Sequence, residues 1–208
     1  MQSKTPKQFL LLNGVPIIVR TIRQFIQTLP EIQVIVSCCQ NDIQQFEKIQ
    51  KRYLSKLPLV ITKGGATRFH SIQSGLRAIK TDGIVAVQDA VRPFASQQLI
   101  KTCFKIAEEK GNAVPMISLQ DSIRIIDGEK SKSLNRADYR LVQTPQCFKV
   151  SNLKHAYKQG FHKGITDDAS LAEMFGEKIN LVDGENQNIK ITTPIDMQIA
   201  KLILESMK

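Results

Sequence analysis

Apolar positions along this chain recur with two alternating periods. Short runs rich in β-branched residues, QVIVSC at 33 to 38, LVIT at 59 to 62, IVAV at 84 to 87 and AVPMIS at 113 to 118, read as buried strands. Between them, apolar residues fall three or four apart, as at Ile43, Phe46, Ile49 and Tyr53, the spacing of an amphipathic helix. The turn at Asn13 and Gly14 is followed by Pro16, placed as the first residue of a helix running to Thr28. Asn41 and Asp42 offer N-caps to the next helix, a third is expected over 67 to 80, and Ser96 caps a fourth that ends at Gly111. Strand and helix alternate, the pattern of parallel βαβ units with helices on both faces of a sheet.

The alternation then breaks. From Leu119 to Val142 the short stretches SIRII and YRLVQ flank a polar DGEKSKS turn, which predicts a β-hairpin arm. A two-stranded arm is rarely stable alone, so it should pack on something, most simply a second copy of the chain. Beyond it are expected a helix near 151 to 162, a helix opening at TDDASLAEMFG, a strand INLVDG, a short strand NIKIT and a closing helix from Pro194 to Met207.

Composition narrows the class. With 208 residues, 42% hydrophobic and 23% charged, the chain can build one substantial core, so a single domain over 1–208 with an arm subdomain at 119–143 is expected. It contains neither a membrane-spanning apolar run nor an apolar segment behind the charges of MQSKTPKQF, which points to a cytoplasmic protein. Cys38, Cys39, Cys103 and Cys147 lack metal-binding spacing and read as reduced packing residues. The net charge of +10 suits an anionic partner, and because the cations are dispersed and aromatics few, a small polyanion fits better than nucleic acid.

Candidate chemistry gathers at strand ends. The apolar run of Ile84, Val85 and Val87 stops at Asp89, followed by Arg92 and Pro93, so a strand delivers a carboxylate to the edge where open α/β sheets bind ligands. The alternative is a polar turn in which Asp89 and Arg92 pair with each other. The segment KGGATRFHSIQSG places Gly64 and Gly65 before a helix opened by Thr67, Arg68 and Ser71, a place for a phosphate or base edge, although two glycines are also plain turn chemistry. Lys7, Arg92 and Lys190 flank strand ends or loops, and the alternative for Lys190 is a solvent-facing edge lysine. His70, His155 and His162 have neither ligand spacing nor an obvious partner.

Taken together, PKQ, GGxxRxxSxxxGL, DAVRPF, QTPQ-x-F, TDDAS and NIKIT-x-x-D occur in an order that resembles the 2-C-methyl-D-erythritol 4-phosphate cytidylyltransferases. The resemblance runs from Pro6 to the C-terminal helix. Ribitol 5-phosphate cytidylyltransferases share DAVRPF and NIKIT but usually lack TDDAS. The resemblance implies a Rossmann-like nucleotidyltransferase fold, α/β with a mostly parallel sheet and helices on both faces, plus a β-hairpin dimerisation arm. It implies transfer of CMP from CTP to a sugar-alcohol phosphate, with Lys7 and Lys190 at the α-phosphate and Asp89 holding Mg²⁺. Cytosine would meet Ser71 and the backbone near Gly64 and Gly65. The sugar phosphate would meet Arg92, Thr166 and, from the partner's arm, Ser122 and Arg136.

The resembled family opens with a strand and a glycine-rich loop, and this chain begins at what looks like the loop's last part, Met1 to Ser3. A doubly wound sheet uses its first strand near the middle. The expectation is therefore either another segment in that central position or a natural product longer than these residues, and a catalytically silent nucleotide-binding homologue is the rival reading.

Overall fold

The structure, a computed structural model, describes residues 5–207. The chain enters through a 3-10 turn, Lys7–Phe9, and a minimal hairpin of β1 (Leu11–Leu12) and β2 (Val15–Pro16) around Asn13 and Gly14. Helix α1 (Ile17–Thr28) turns Ile18, Ile22 and Phe25 inward. Then follow β3 (Val34–Cys38), α2 (Ile43–Tyr53), β4 (Leu59–Lys63), α3 (Arg68–Ala78), β5 (Ile84–Val87), α4 (Gln97–Lys110) and β6 (Asn112–Ser118), as the periodicity predicts. Local chemistry sets their ends: the Thr67 hydroxyl accepts from the His70 N–H to open α3, and Ser96 accepts from Leu99 to open α4. Gly111, at φ 96°, closes α4 in a conformation that a Cβ would strain.

The second half supplies the hairpin arm, β7 (Ile123–Asp127) antiparallel to β8 (Lys130–Leu134). After it come β9 (Arg140–Val142), β10 (Gln146–Lys149), α5 (Val150–Lys158), α6 (Asp168–Met174), β11 (Leu181–Asp183) and α7 (Pro194–Ser206). Phe69, Phe148, Leu153, Tyr157 and Leu171 pack α3, α5 and α6 against the main sheet. Phe25, Leu99, Ile100 and Ala113, with Cys103 and Cys147, pack α1 and α4. All four cysteines are free thiols, and only Cys39 is exposed.

The main sheet is mixed, which corrects the expectation of a mostly parallel one. Its strands run in the order β11-β6-β10-β5, with β9 also paired to β6. Only β11 with β6 is a parallel pair, whereas β10 lies antiparallel to both β6 and β5 and β9 is antiparallel to β6. Sequence reading missed β10 because Gln146 interrupts the apolar run. Buried, that amide donates to Asp167 Oδ2 at 2.7 Å and accepts from the Ala169 N–H at 3.0 Å, so the polar group is satisfied inside the core. NIKIT is likewise not a sheet strand: its Ile191 N–H donates to the Val91 carbonyl at 3.0 Å and the segment joins no ladder. Helix α5 ends at Lys158, short of the expected 162.

β3 and β4 form a separate parallel pair. Among the described residues nothing pairs with the other edge of β3, nor with the edge of β5 opposite β10. Between these two edges lies a cavity of about 730 Å³, walled by α1 and α3 as well as the two strands. No described segment fills the central position, and Met1 to Ser3, where the loop remnant was expected, lie outside the described residues.

Candidate active site

β5 ends at Val87 and hands the chain to Gln88 and Asp89 at the carboxyl edge of the sheet. The Asp89 N–H donates to Thr144 Oγ1 at 3.1 Å, which ties the turn to the residues before β10. Its carboxylate Oδ2 accepts from Arg92 Nε at 3.2 Å and from Lys190 Nζ at 3.1 Å. Arg92 also donates to the Asn188 carbonyl at 2.7 Å, so the pairing of Asp89 with Arg92 is made and its guanidinium bolts two loops together. Lys190 is not a lysine that merely faces solvent: half-exposed, it turns its ammonium onto Asp89.

What aims Lys190 is a clamp on either side of it. Asn188, fully buried, donates to the Thr144 carbonyl at 2.9 Å and to Gln143 Oε1 at 3.3 Å. Beyond Lys190, the N–H groups of Thr192 and Thr193 donate to Asp196 Oδ2 at 2.8 Å and 2.7 Å, and Thr193 caps α7. Slight burial works to raise the Asp196 carboxyl, but the hydrogen bonds from Thr192 and Thr193 outweigh it and hold the group at about 2. Gln143, Thr144 and Asn188 are structural members of the site that sequence reading did not select. The only signal was their place inside QTPQ and at the head of NIKIT.

The glycine loop sits nearby. The Gly64 N–H donates to the Cys38 carbonyl at 2.6 Å, and the Gly65 N–H to Ser71 Oγ at 3.1 Å. A Cβ on Gly65 would lie 2.2 Å from the His70 Cβ, so only glycine fits this bend. Ser71 in turn donates to the Thr67 carbonyl at 3.0 Å, which leaves its hydroxyl one further lone pair for a ligand. Ser71 and Arg68 line the central cavity together with Gln88 and Asp89, so the glycine-loop helix and the acidic strand end share one opening.

Arg68 also reaches Asp168, a fully buried carboxylate that accepts from the Tyr157 hydroxyl as well. Burial pushes the Asp168 carboxyl up, and the Arg68 charge opposes that shift. Burial, reinforced by Asp168, drives the Tyr157 phenol well above its ordinary range. This triad joins the start of α3 to the start of α6. There Asp167 and Ser170 form a capping box, and exposed Thr166 donates its N–H to Ser170 Oγ at 3.2 Å. The doubled aspartate of TDDAS was visible in the sequence, but nothing there marked its second member as the buried partner of Arg68.

Three candidates stand apart within the single chain. Lys7 is exposed in the entry turn, beside Gln8, which lines the same cavity as Asp89. Ser122 and Arg136 are exposed at the arm, where Arg136 donates to the Gln120 carbonyl. None of the three bonds to the Asp89 group. His70 hydrogen-bonds Thr67 and packs on Phe69, in keeping with a structural role.

A carboxylate held by two cations at the edge of an open α/β sheet, next to a glycine loop that opens a helix, is an arrangement suited to a phosphorylated ligand such as a nucleotide. The sequence profile of the 2-C-methyl-D-erythritol 4-phosphate cytidylyltransferase family matches residues 1–206. The chain belongs to that family. Among its relatives, the 2-C-methyl-D-erythritol 4-phosphate cytidylyltransferase of Phocaeicola vulgatus is 38% identical over 98% of this chain and 93% of its own length. The crystal structure of 4-diphosphocytidyl-2C-methyl-D-erythritol synthase from Anaerococcus prevotii superposes with a TM-score of 0.84 at 27% identity, covering 94% of this chain and 88% of that one. That of the 2-C-methyl-D-erythritol 4-phosphate cytidylyltransferase from Thermus thermophilus does so at 0.80 and 29% identity, over 96% and 94%.

Proposed function

We propose that this chain transfers CMP from CTP to 2-C-methyl-D-erythritol 4-phosphate in the non-mevalonate route to isoprenoid precursors. A phosphate oxygen of the acceptor attacks the α-phosphorus of CTP, the bond to the bridging oxygen breaks, and pyrophosphate leaves with 4-diphosphocytidyl-2-C-methyl-D-erythritol as product. The observation that carries this reading is Lys190 and Arg92 converging on Asp89 beside the Gly64 to Ser71 loop. Two polyanions must approach there. At about 4 Å and an effective dielectric near 20, each pair of like unit charges costs roughly 4 kcal/mol, so the site has to supply cations.

Lys190 leaves Asp89 for the α-phosphate as charge builds in the transition state, with Lys7 on the other side. Both observed cations engage Oδ2 of Asp89, which leaves Oδ1 for a hard divalent ion such as Mg²⁺. No group of three acidic, histidine or cysteine side chains that could hold a metal exists among the described residues, so such an ion would share Asp89 with the triphosphate oxygens and offset their charge. No general base is required, because a phosphate dianion is already the nucleophile. Ser71 and the Gly64 and Gly65 backbone read cytosine, while Arg92 and Thr166 meet the acceptor.

Ser122 and Arg136 serve the site of a second copy. Support comes from the arm itself, which exposes Ile125 and Ile126, and from neighbouring Leu141 and Val142, an apolar surface that a homodimer would cover. The working form is thus a cytoplasmic homodimer of single-domain chains that engages neither nucleic acid nor membrane. No helix among the described residues is long and apolar enough to cross a bilayer. The test is pyrophosphate release from CTP and Mg²⁺ with 2-C-methyl-D-erythritol 4-phosphate, and separately with ribitol 5-phosphate. Release with the first acceptor is expected, and release with the second alone would overturn the assignment.

A further inference from the structure

Gln143 is buried just upstream of β10, and both polar atoms of its side-chain amide meet the loop that follows β11. Nε2 donates to the Glu185 carbonyl at 2.8 Å, with the Asn188 carbonyl a longer second acceptor at 3.5 Å. Oε1 accepts from the Glu185 N–H at 3.1 Å and from Asn188 Nδ2 at 3.3 Å. The side chain thus pairs with Glu185 as one peptide group pairs with another across a ladder, with its donor and acceptor capacity fully engaged. Both sides of this joint rest on β6: the Gln143 N–H donates to the Pro115 carbonyl and the Gly184 N–H to the Met116 carbonyl, each at 2.8 Å. Gly184 leaves the room the amide needs, since a Cβ there would lie 2.6 Å from Gln143 Oε1.

The loop fastened in this way reaches both cations of the candidate site. Arg92 Nη1 donates to the Asn188 carbonyl at 2.7 Å, and Lys190 follows two residues later with its ammonium 3.1 Å from Asp89 Oδ2. Glu185 takes hold of the far end of the Arg92 turn: its carboxylate accepts from the Ser96 N–H at 3.0 Å and from the Ser96 hydroxyl. Arg92 and Lys190 therefore depend on one loop, and that loop depends on one buried side chain. We propose that Gln143 is a positioning residue for the transfer. It fixes the loop over 185 to 188 and, through it, the spacing of Arg92 from Lys190, so that the acceptor phosphate lines up with the α-phosphate of CTP. The inference rests on the proposed function, in which Arg92 meets the acceptor and Lys190 the α-phosphate. In-line displacement is sensitive to alignment, and a shift of about 1 Å costs up to roughly a hundredfold in rate even when no contact to substrate is removed.

The experiment compares the full native chain with Gln143→Leu, which removes the amide at similar volume, and with Gly184→Ala, which keeps the amide but drives it from its place. All are studied at a temperature where circular dichroism shows them fully folded. In both variants KM for the acceptor should rise about tenfold and kcat fall about tenfold, while KM for CTP stays within about twofold of native. A merely structural role would lower the amount of folded enzyme and leave both KM values native. A second readout needs no turnover: the Arg92 Nε–H resonance, held by Asp89 while Nη1 is anchored on Asn188, should exchange with water about tenfold faster in both variants. Gln143→Glu supplies a conservative rescue. Ionised, the new carboxylate cannot donate to the Glu185 carbonyl, whereas the protonated acid again has a donor and an acceptor. Its activity relative to native should therefore climb as pH falls from about 8 to about 6. The proposal is overturned if both variants keep the native acceptor KM and kcat, or if KM for CTP rises as much as that for the acceptor. An unchanged Arg92 signal or a flat pH ratio overturns it too. A native chain that releases no pyrophosphate, while the Arg92 signal still responds to the variants, would refute the reaction proposed above and establish the positioning of Arg92 by Gln143.

Discussion

Asp89 carries two cations on one oxygen, and that determines what its removal does. In Asp89→Asn the side chain keeps its shape but loses the charge that holds Lys190 and Arg92 together and would hold the metal. Turnover should fall by about a hundredfold or more, while the melting temperature shifts by only a few degrees, because the residue stands at a strand end and not in the core. Near-normal Mg²⁺-dependent pyrophosphate release from this variant would contradict the role given to Asp89. Asp196 acts at one remove, through the segment that aims Lys190. Its folded value of about 2 lies below the roughly 4 of an unfolded aspartate, so the stability it contributes is present above pH 4 and is lost as pH falls from 4 toward 2. Urea midpoints taken at pH 7, 4 and 2 should therefore drop less steeply across the acidic step in Asp196→Ala than in the native chain. An unchanged acid limb would show that the Thr192 and Thr193 hydrogen bonds do not favour the ionised form.

Between elements, the decisive joint is that of Arg68 on α3 with Asp168 on α6, completed by Tyr157 on α5. It sets the glycine loop and Thr166 in one frame, although they are a hundred residues apart in sequence. In Asp168→Asn the buried acceptor survives, but Arg68 loses its counter-charge and turns toward solvent, which its partial exposure permits. A loss of about 1–3 kcal/mol in urea unfolding is expected. A purely structural role would end there. If the triad positions both loops, KM should rise for CTP and for the acceptor together while kcat changes less, and a rise confined to one substrate would exclude the coupling.

On the scale of the whole molecule, Arg136 and Lys7 belong to one site only if that site spans two chains. Lys7→Ala and Arg136→Ala are each expected to be inactive alone. After mixing and subunit exchange, half of the dimers are mixed, and each mixed dimer has one site with both residues intact, so about a quarter of the native activity should return. No recovery after exchange verified by native mass spectrometry would place Arg136 in its own chain's site or outside the chemistry altogether.

Local chemistry alone determined much of this protein. Capping at Thr67, Ser96 and Thr193, the apolar runs of β3, β4, β5 and β6, and the glycine bend at Gly65 are all settled within a few residues, because hydrogen bonding at helix ends and hydrophobic period act over that range. The order of the motifs also told which family the chain joins. What only tertiary structure decided is where polar groups find distant partners. Gln146 became part of an inner strand because Asp167 and Ala169 satisfy its amide, Asp168 could be buried because Arg68 and Tyr157 meet it, and Lys190 faces Asp89 because Asn188 and Asp196 bend its segment out of any ladder.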